Sequence, residues 1–172
     1  MGTFLADIRH AFQRHKSLAE GAMSQVDDEA FFRRAGEAVN SIAIIVKHLG
    51  GNLLSRWTDF LTTDGEKTTR NRDGEFVIQP QDSRADLMQE WEAGWAALFQ
   101  TLDKLQTSDL NKKVAIRGEP HTVEQALMRG LTHVAYHTGQ ITYLSRLWNP
   151  SGKLLTIAPG QSSSHKPVYR KA

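Results

Sequence analysis

Apolar residues recur at helical spacing in four long stretches of this chain, and no comparable run alternates with the two-residue period of a strand. Phe4, Ile8, Ala11, Phe12, His15, Leu18 and Ala19 predict a first helix from about Thr3 to Ala22. Asp27-Asp28-Glu29 then offers acids suited to a helix N-terminus, ahead of Phe31-Phe32 in a short helical turn. A second long helix begins near Asn40 or Ser41, either of which can cap it. Its stripe is Ile42, Ile45, Leu49, Leu53 and Phe60, and it ends near Thr62. Gly50-Gly51 interrupts that stripe, and each glycine inside a helix costs about 1 kcal/mol against alanine. Either the helix stops just after His48, or the glycines admit a neighbouring backbone. The apolar phase holds across the pair, so continuation is the expectation.

Between Thr63 and Asp82 the pattern is lost to Asp64-Gly65-Glu66-Lys67 and Arg70-Asn71-Arg72-Asp73-Gly74. Loops this long inside a compact domain tend to be functional or mobile. Asp59, Asp64, Arg70, Arg72 and Asp73 suggest a polar lid or a plain solvated loop, with the plain loop preferred. A third helix opens at Asp82 or Ser83 and carries Leu87, Trp91, Trp95, Leu98, Leu102 and Leu105; Trp91, Trp95 and Phe99 read as core. Lys113 to Pro120 reads as a small hairpin or an extended connection. Thr122 and Gln125 then form a capping box for a fourth helix that runs to about Trp148, where Asn149-Pro150 stops it. The expected fold is all-α, an antiparallel up-and-down four-helix bundle over residues 1–150, with an irregular tail over 151–172.

Composition narrows the chemistry. The chain has 172 residues, enough for one substantial core, with 40% hydrophobic and 23% charged residues. A net charge of +2 gives no reason to expect nucleic acid as a partner, and Lys153, Lys166, Arg170 and Lys171 read as a solubilising tail. There is no cysteine, so disulfides, thiolate ligands and a cysteine nucleophile are excluded, and any reacting thiol must arrive with a substrate. Asp7, Arg9, Arg14 and Lys16 break every apolar run near the N-terminus, and no stretch approaches the roughly 18 apolar residues of a membrane span. The expectation is a cytoplasmic protein with no membrane partner.

His133 and His137 stand one turn apart on the stripe formed by Ala126, Gly130, Gln140, Ile141, Leu144 and Trp148. Residues at i and i+4 differ by about 40° and rise about 6 Å, so their imidazoles can converge on one ion. His48, flanked by Ile44, Ile45, Gly51 and Asn52, also looks inward. The spacing alone is a weak signal. Its place on an otherwise apolar face strengthens it against the alternative of core histidines satisfied by hydrogen bonds. His10, His15, His121 and His165 read as surface or capping residues. Val134 rather than glutamate follows His133, which removes the metalloprotease pattern, and no acid shares the stripe, which argues against a di-iron carboxylate site. Three neutral imidazoles would leave a divalent ion its full charge and an open position, suited to polarising water or holding an anionic ligand such as a thiolate. Asn52, Arg56 and Gln140, one and two turns from the histidines, are candidates to orient a bound water or a substrate carboxylate; for Arg56 a helix end turning to solvent is an equal reading.

At these residues the sequence resembles the DinB-like superfamily of metal-binding four-helix bundles. Within it the likeness is to a bacterial subfamily of unknown function related to bacillithiol- and mycothiol-dependent S-transferases. The matching stretches are Asn40 to Asn52, Ser55 to Lys67, Arg70-Asn71-Arg72-Asp73 and Tyr136-His137-Thr138-Gly139-Gln140-Ile141, with His133 at its spacing. The resemblance implies a bundle with crossed connectivity, often a homodimer, holding Zn²⁺ or Ni²⁺ through His48, His133 and His137. It also implies a low-molecular-weight thiol as co-substrate, as in bacillithiol S-transferases and mycothiol-dependent maleylpyruvate isomerase. The expected function is a metal-dependent thiol S-transferase acting on small electrophiles. The alternatives are a hydrolase using activated water, for which no general base stands out, and a non-catalytic metal-binding bundle.

Overall fold

The computed structural model describes residues 3–164. Five α-helices and one two-stranded sheet follow in the order α1 (Phe4–Met23), α2 (Asp28–Phe32), α3 (Ile42–Trp57), α4 (Arg84–Lys104), β1 (Lys113–Ile116), β2 (Glu119–Thr122) and α5 (Val123–Trp148). Helix starts fall where hydroxyls and carboxylates can accept otherwise unpaired backbone N–H groups. Thr3 accepts from Ala6, Asp27 from Ala30, Ser41 from Ile44 and Ser83 from Asp86. Thr122 and Gln125 cap α5 reciprocally, as their spacing predicts.

The protein is mostly helical, and the β1–β2 hairpin, one of the two forms expected for Lys113 to Pro120, adds a small sheet to the all-α expectation. Its register pairs Ile116 with Glu119, leaving Arg117-Gly118 as a two-residue turn. Both turn residues have positive φ, 56° and 76°, the pair of left-handed conformations that lets a tight hairpin follow the strand twist. Asp64 holds this turn by accepting from the backbone N–H groups of Arg117 and Gly118. The 63–82 segment is therefore stitched to the hairpin rather than loose in solvent.

α3 lies along α4 and α1 along α5, with further contact between α3 and α5. Phe12, Leu49, Leu53, Trp57, Trp91, Trp95, Leu98, Leu127 and Ile141 belong to one shared core. The second long helix ends at Trp57 rather than near Thr62, and Asp59 turns left-handed at φ 49°. Phe60 is nonetheless buried, because the turn after the helix returns it to the same face. α3 does continue through Gly50-Gly51, as expected, and the pair admits a neighbouring backbone rather than ending the helix. A Cβ on Gly94 of α4 would lie 2.7 Å from the Gly50 carbonyl oxygen, so the two helix backbones touch there.

That contact sets a test. Alanine at an open helical glycine such as Gly139, where a Cβ meets nothing within 4 Å, should stabilise by up to about 1 kcal/mol. Gly94→Ala gains the same propensity but forces apart two backbones that cannot rotate away, for a net loss of about 2 kcal/mol. Urea unfolding of the two variants reads both signs, and a Gly94→Ala chain as stable as wild type would refute the close approach.

Among the described residues, all helices and both strands lie before Asn149, and residues 151–164 carry neither helix nor strand. His165, Lys166, Arg170 and Lys171 lie outside the described residues. Among the described residues, no helix is long and apolar enough to cross a membrane.

Candidate metal centre

His48 stands in the middle of α3, and His133 and His137 stand on the facing side of α5. The two helices bring the rings together. His48 Nε2 and His137 Nε2 each lie 3.2 Å from His133 Nε2, and the three potential ligand atoms fall within 4.8 Å of one another. Nitrogens around a tetrahedral ion at 2.0–2.1 Å stand about 3.4 Å apart, so the two short separations match a shared cation. His48 and His137 are buried, and His133 is half-buried on the open side of the cluster.

The outer nitrogens decide which tautomers are present. Glu75 Oε2 lies 2.9 Å from His48 Nδ1, and a carboxylate can only accept, so Nδ1 carries the proton. Gln140 Oε1 accepts from His137 Nδ1 at 2.7 Å, while its amide nitrogen donates to the Tyr136 hydroxyl. In the neutral ring this leaves each Nε2 as an acceptor, and both are turned toward His133 Nε2. His133 has one N–H to offer, and one donor cannot satisfy two converging acceptors. A cation satisfies all three, which is how a metal-binding histidine set is ordinarily oriented.

Electrostatics agree with this assignment. Burial, followed by the neighbouring His137 and His48 and the guanidiniums of Arg56 and Arg70, pushes His133 down to about 3. Burial likewise pushes His137 down to about 4, against the hydrogen bond to Gln140. Both rings are neutral at pH 7, the form that ligates metal. Burial opposes the charge of Glu75, but the hydrogen bonds from His48 and Arg70 outweigh it and hold the carboxyl below the usual range.

Glu75 is the residue sequence reasoning missed. It sits in a single 3₁₀ turn, Asp73–Phe76, within the segment read as a plain solvated loop. That reading is corrected. Arg70 binds both Glu75 oxygens, at 2.7 and 2.6 Å, and also reaches Glu66 at 3.0 Å. The loop thus folds over α3 as an ordered polar layer, because its charges neutralise one another against the helix. One signal was present: a Cβ on Gly51 would collide with Glu75 Oε1, so the second glycine of the pair makes room for this carboxylate.

Asn52 and Arg56 continue the His48 face of α3 and are both buried. They line a cleft of about 570 Å³ that opens beside His48 and His133. Arg56 thus lies on the cleft wall rather than out in solvent, and the Gln140 amide oxygen accepts from His137. His121 hydrogen-bonds the Glu119 carbonyl and Arg129, His10 is exposed and His15 is half-buried; none of the three joins the cluster.

Residues 1–161 match the model of a family described as a protein of unknown function, DUF1572. The chain belongs to the DUF1572 family. A solved structure, described as the conserved protein of locus from Enterococcus faecalis, matches with a TM-score of 0.64 at 15% identity. The alignment covers 86% of this DUF1572 chain and 98% of the Enterococcus protein, a likeness of fold. Curated proteins gave no match.

Proposed function

We propose that this DUF1572 protein is a divalent-metal enzyme that transfers a small thiol onto a small electrophile. We also read α1, α3, α4 and α5 as an antiparallel four-helix bundle of the DinB-like type, which the α1–α5 and α3–α4 pairings support. The observation that carries the metal reading is the convergence of three imidazole nitrogens, two of them 3.2 Å from the third, beside an open cleft.

His48, His133 and His137 would hold the ion, and their chemistry suits Zn²⁺ or Ni²⁺. When bound, the ion supplies Lewis acidity that lowers the proton affinity of a thiol beside it. Glu75 and Gln140 keep the two buried imidazoles in the ligating tautomer. The absence of cysteine means the sulfur comes from a co-substrate. In the transfer, the thiol proton passes to solvent and sulfur bonds to the electrophilic carbon. The leaving group departs with its bonding electrons. Guanidiniums along the cleft give a positive potential, which favours the anionic sulfur and the departing anion. A hydrolase would need a free general base near the histidines. Glu75 is committed to His48 and Arg70, and Glu66 to Arg70, which favours the thiol reading.

The test is the purified chain loaded with Zn²⁺ or Ni²⁺ and offered bacillithiol, glutathione or coenzyme A with a chlorinated aromatic. Turnover should require both metal and thiol, and chelation should abolish it. A rate independent of thiol would move the assignment to hydrolysis, and none with any thiol would end the transferase reading.

A further inference from the structure

The cleft beside the histidines is lined by Arg56, Arg70, Arg72, Arg117 and Arg129, with Glu66 as its one carboxylate. Some of these charges are already matched. Arg70 is spent on Glu66 and Glu75, Arg72 lies 3.7 Å from Asp73 and over the Phe76 ring, and Arg117 lies 3.5 Å from Glu66. Arg129 donates to His121 Nε2 and pairs with no carboxylate among the described residues.

Arg56 differs from all of them. It is 6% exposed, its Nε is fully buried, and among the described residues it makes no hydrogen bond or ion pair. Nε is therefore a charged donor sealed from solvent with no acceptor, while the rest of the guanidinium opens on the cleft. Its surroundings also disfavour the charge. Burial, then Arg129 and Arg70, lowers its proton affinity to about 10, with Glu66 opposing. A chain that spends stability in this way on the wall of an open cleft has prepared a seat for an anion.

Position fits the seat to the reactive site. Arg56 follows His48 by eight residues on α3, two turns or about 12 Å along the axis, and helical side chains lean back toward the N-terminus. Arg129 approaches from α5, one turn before His133. We propose that this cleft binds the oxyanion end of a small substrate, a carboxylate or phosphate monoester clamped by Arg56 and Arg129, leaving its reactive end at the three histidines. What happens at that reactive end rests on the transferase reading above; the anion seat does not.

Calorimetry on the full chain after chelation, at low ionic strength, tests the seat without any metal. The probes are inorganic phosphate and succinate. Wild type should bind at least one of them saturably, and the preferred probe tells phosphate from carboxylate. Arg56→Met and Arg129→Ala should each weaken binding roughly tenfold or more, as loss of a charge-assisted pair implies. Arg56→Met should also melt higher than wild type without anion, and lose the rise in Tm that the anion gives wild type. A merely structural Arg56 would show neither. His137→Ala should bind the probe as wild type does, so failure of the metal site and failure of the anion seat read out separately. Arg129 is exposed, so its variant decides the matter even if Arg56→Met does not fold. No saturable binding by wild type, or wild-type affinity in the variants, would overturn the proposal.

Discussion

His137→Ala should purify with less than about a tenth of the metal that wild type carries, from a starting value of about one ion per chain. Losing merely an outer partner of a ligand costs 10–100-fold in affinity, so losing a ligand itself should cost more than about 100-fold. His48→Ala and His133→Ala should do the same, since each supplies one of the three converging nitrogens. The fold should survive, because α5 is held by an apolar stripe that includes Leu127, Val134, Ile141 and Leu144, which the substitution leaves intact. Elemental analysis alongside circular dichroism reads both halves of this expectation. Equal metal in wild type and in all three variants, each folded, would dismiss the cluster as a metal site. A hydrogen-bonded core trio also makes a different prediction for stability. In that case each alanine variant should lose stability in the metal-free state as much as in the metal-bound state.

The helices and their caps were legible because they depend on local chemistry. Ser41, Ser83 and Thr122 each accept a backbone N–H three residues on, an interaction written entirely within one turn. The histidine set was legible for a related reason. His133 and His137 share a helix face by their spacing, and His48 stands out as polar on a face of isoleucines and leucines. What was not legible crosses long stretches of irregular chain. Glu75 reaches His48 over 27 residues, and Asp64 reaches the hairpin turn over more than 50. No periodicity marks such contacts, since each loop residue has its own backbone geometry. Arg56 was ambiguous because burial of a charge at the end of a helix depends on the hairpin and the loop that close over it. The end of α3 was misplaced for a simpler reason. Phe60 keeps the apolar phase, although the chain has already left the helix at Trp57.

The carboxylate that the sequence hid carries the second large effect. Glu75→Ala removes the acceptor that fixes His48 and leaves Arg70, with a side chain only 5% exposed, facing a void. Breaking one partner out of a buried pair costs about 3–5 kcal/mol, and Glu66 can recover part of that by its own bond to Arg70. Metal affinity should fall about 10–100-fold, the usual cost of an unsupported histidine ligand. Two further variants separate these losses. Glu75→Gln keeps the shape and an oxygen to accept from His48, so it should hold metal better than Glu75→Ala while still losing the charge pairing with Arg70. The double variant Glu75→Leu with Arg70→Leu removes both charges together, and apolar replacement of a buried pair is often neutral or stabilising. Its stability should return close to wild type while its metal affinity stays low. Chemical denaturation and competitive metal titration follow the two quantities independently. If Glu75→Ala binds metal as tightly as wild type, or the double variant regains full affinity, then the loop supports the fold alone and His48 needs no partner to ligate.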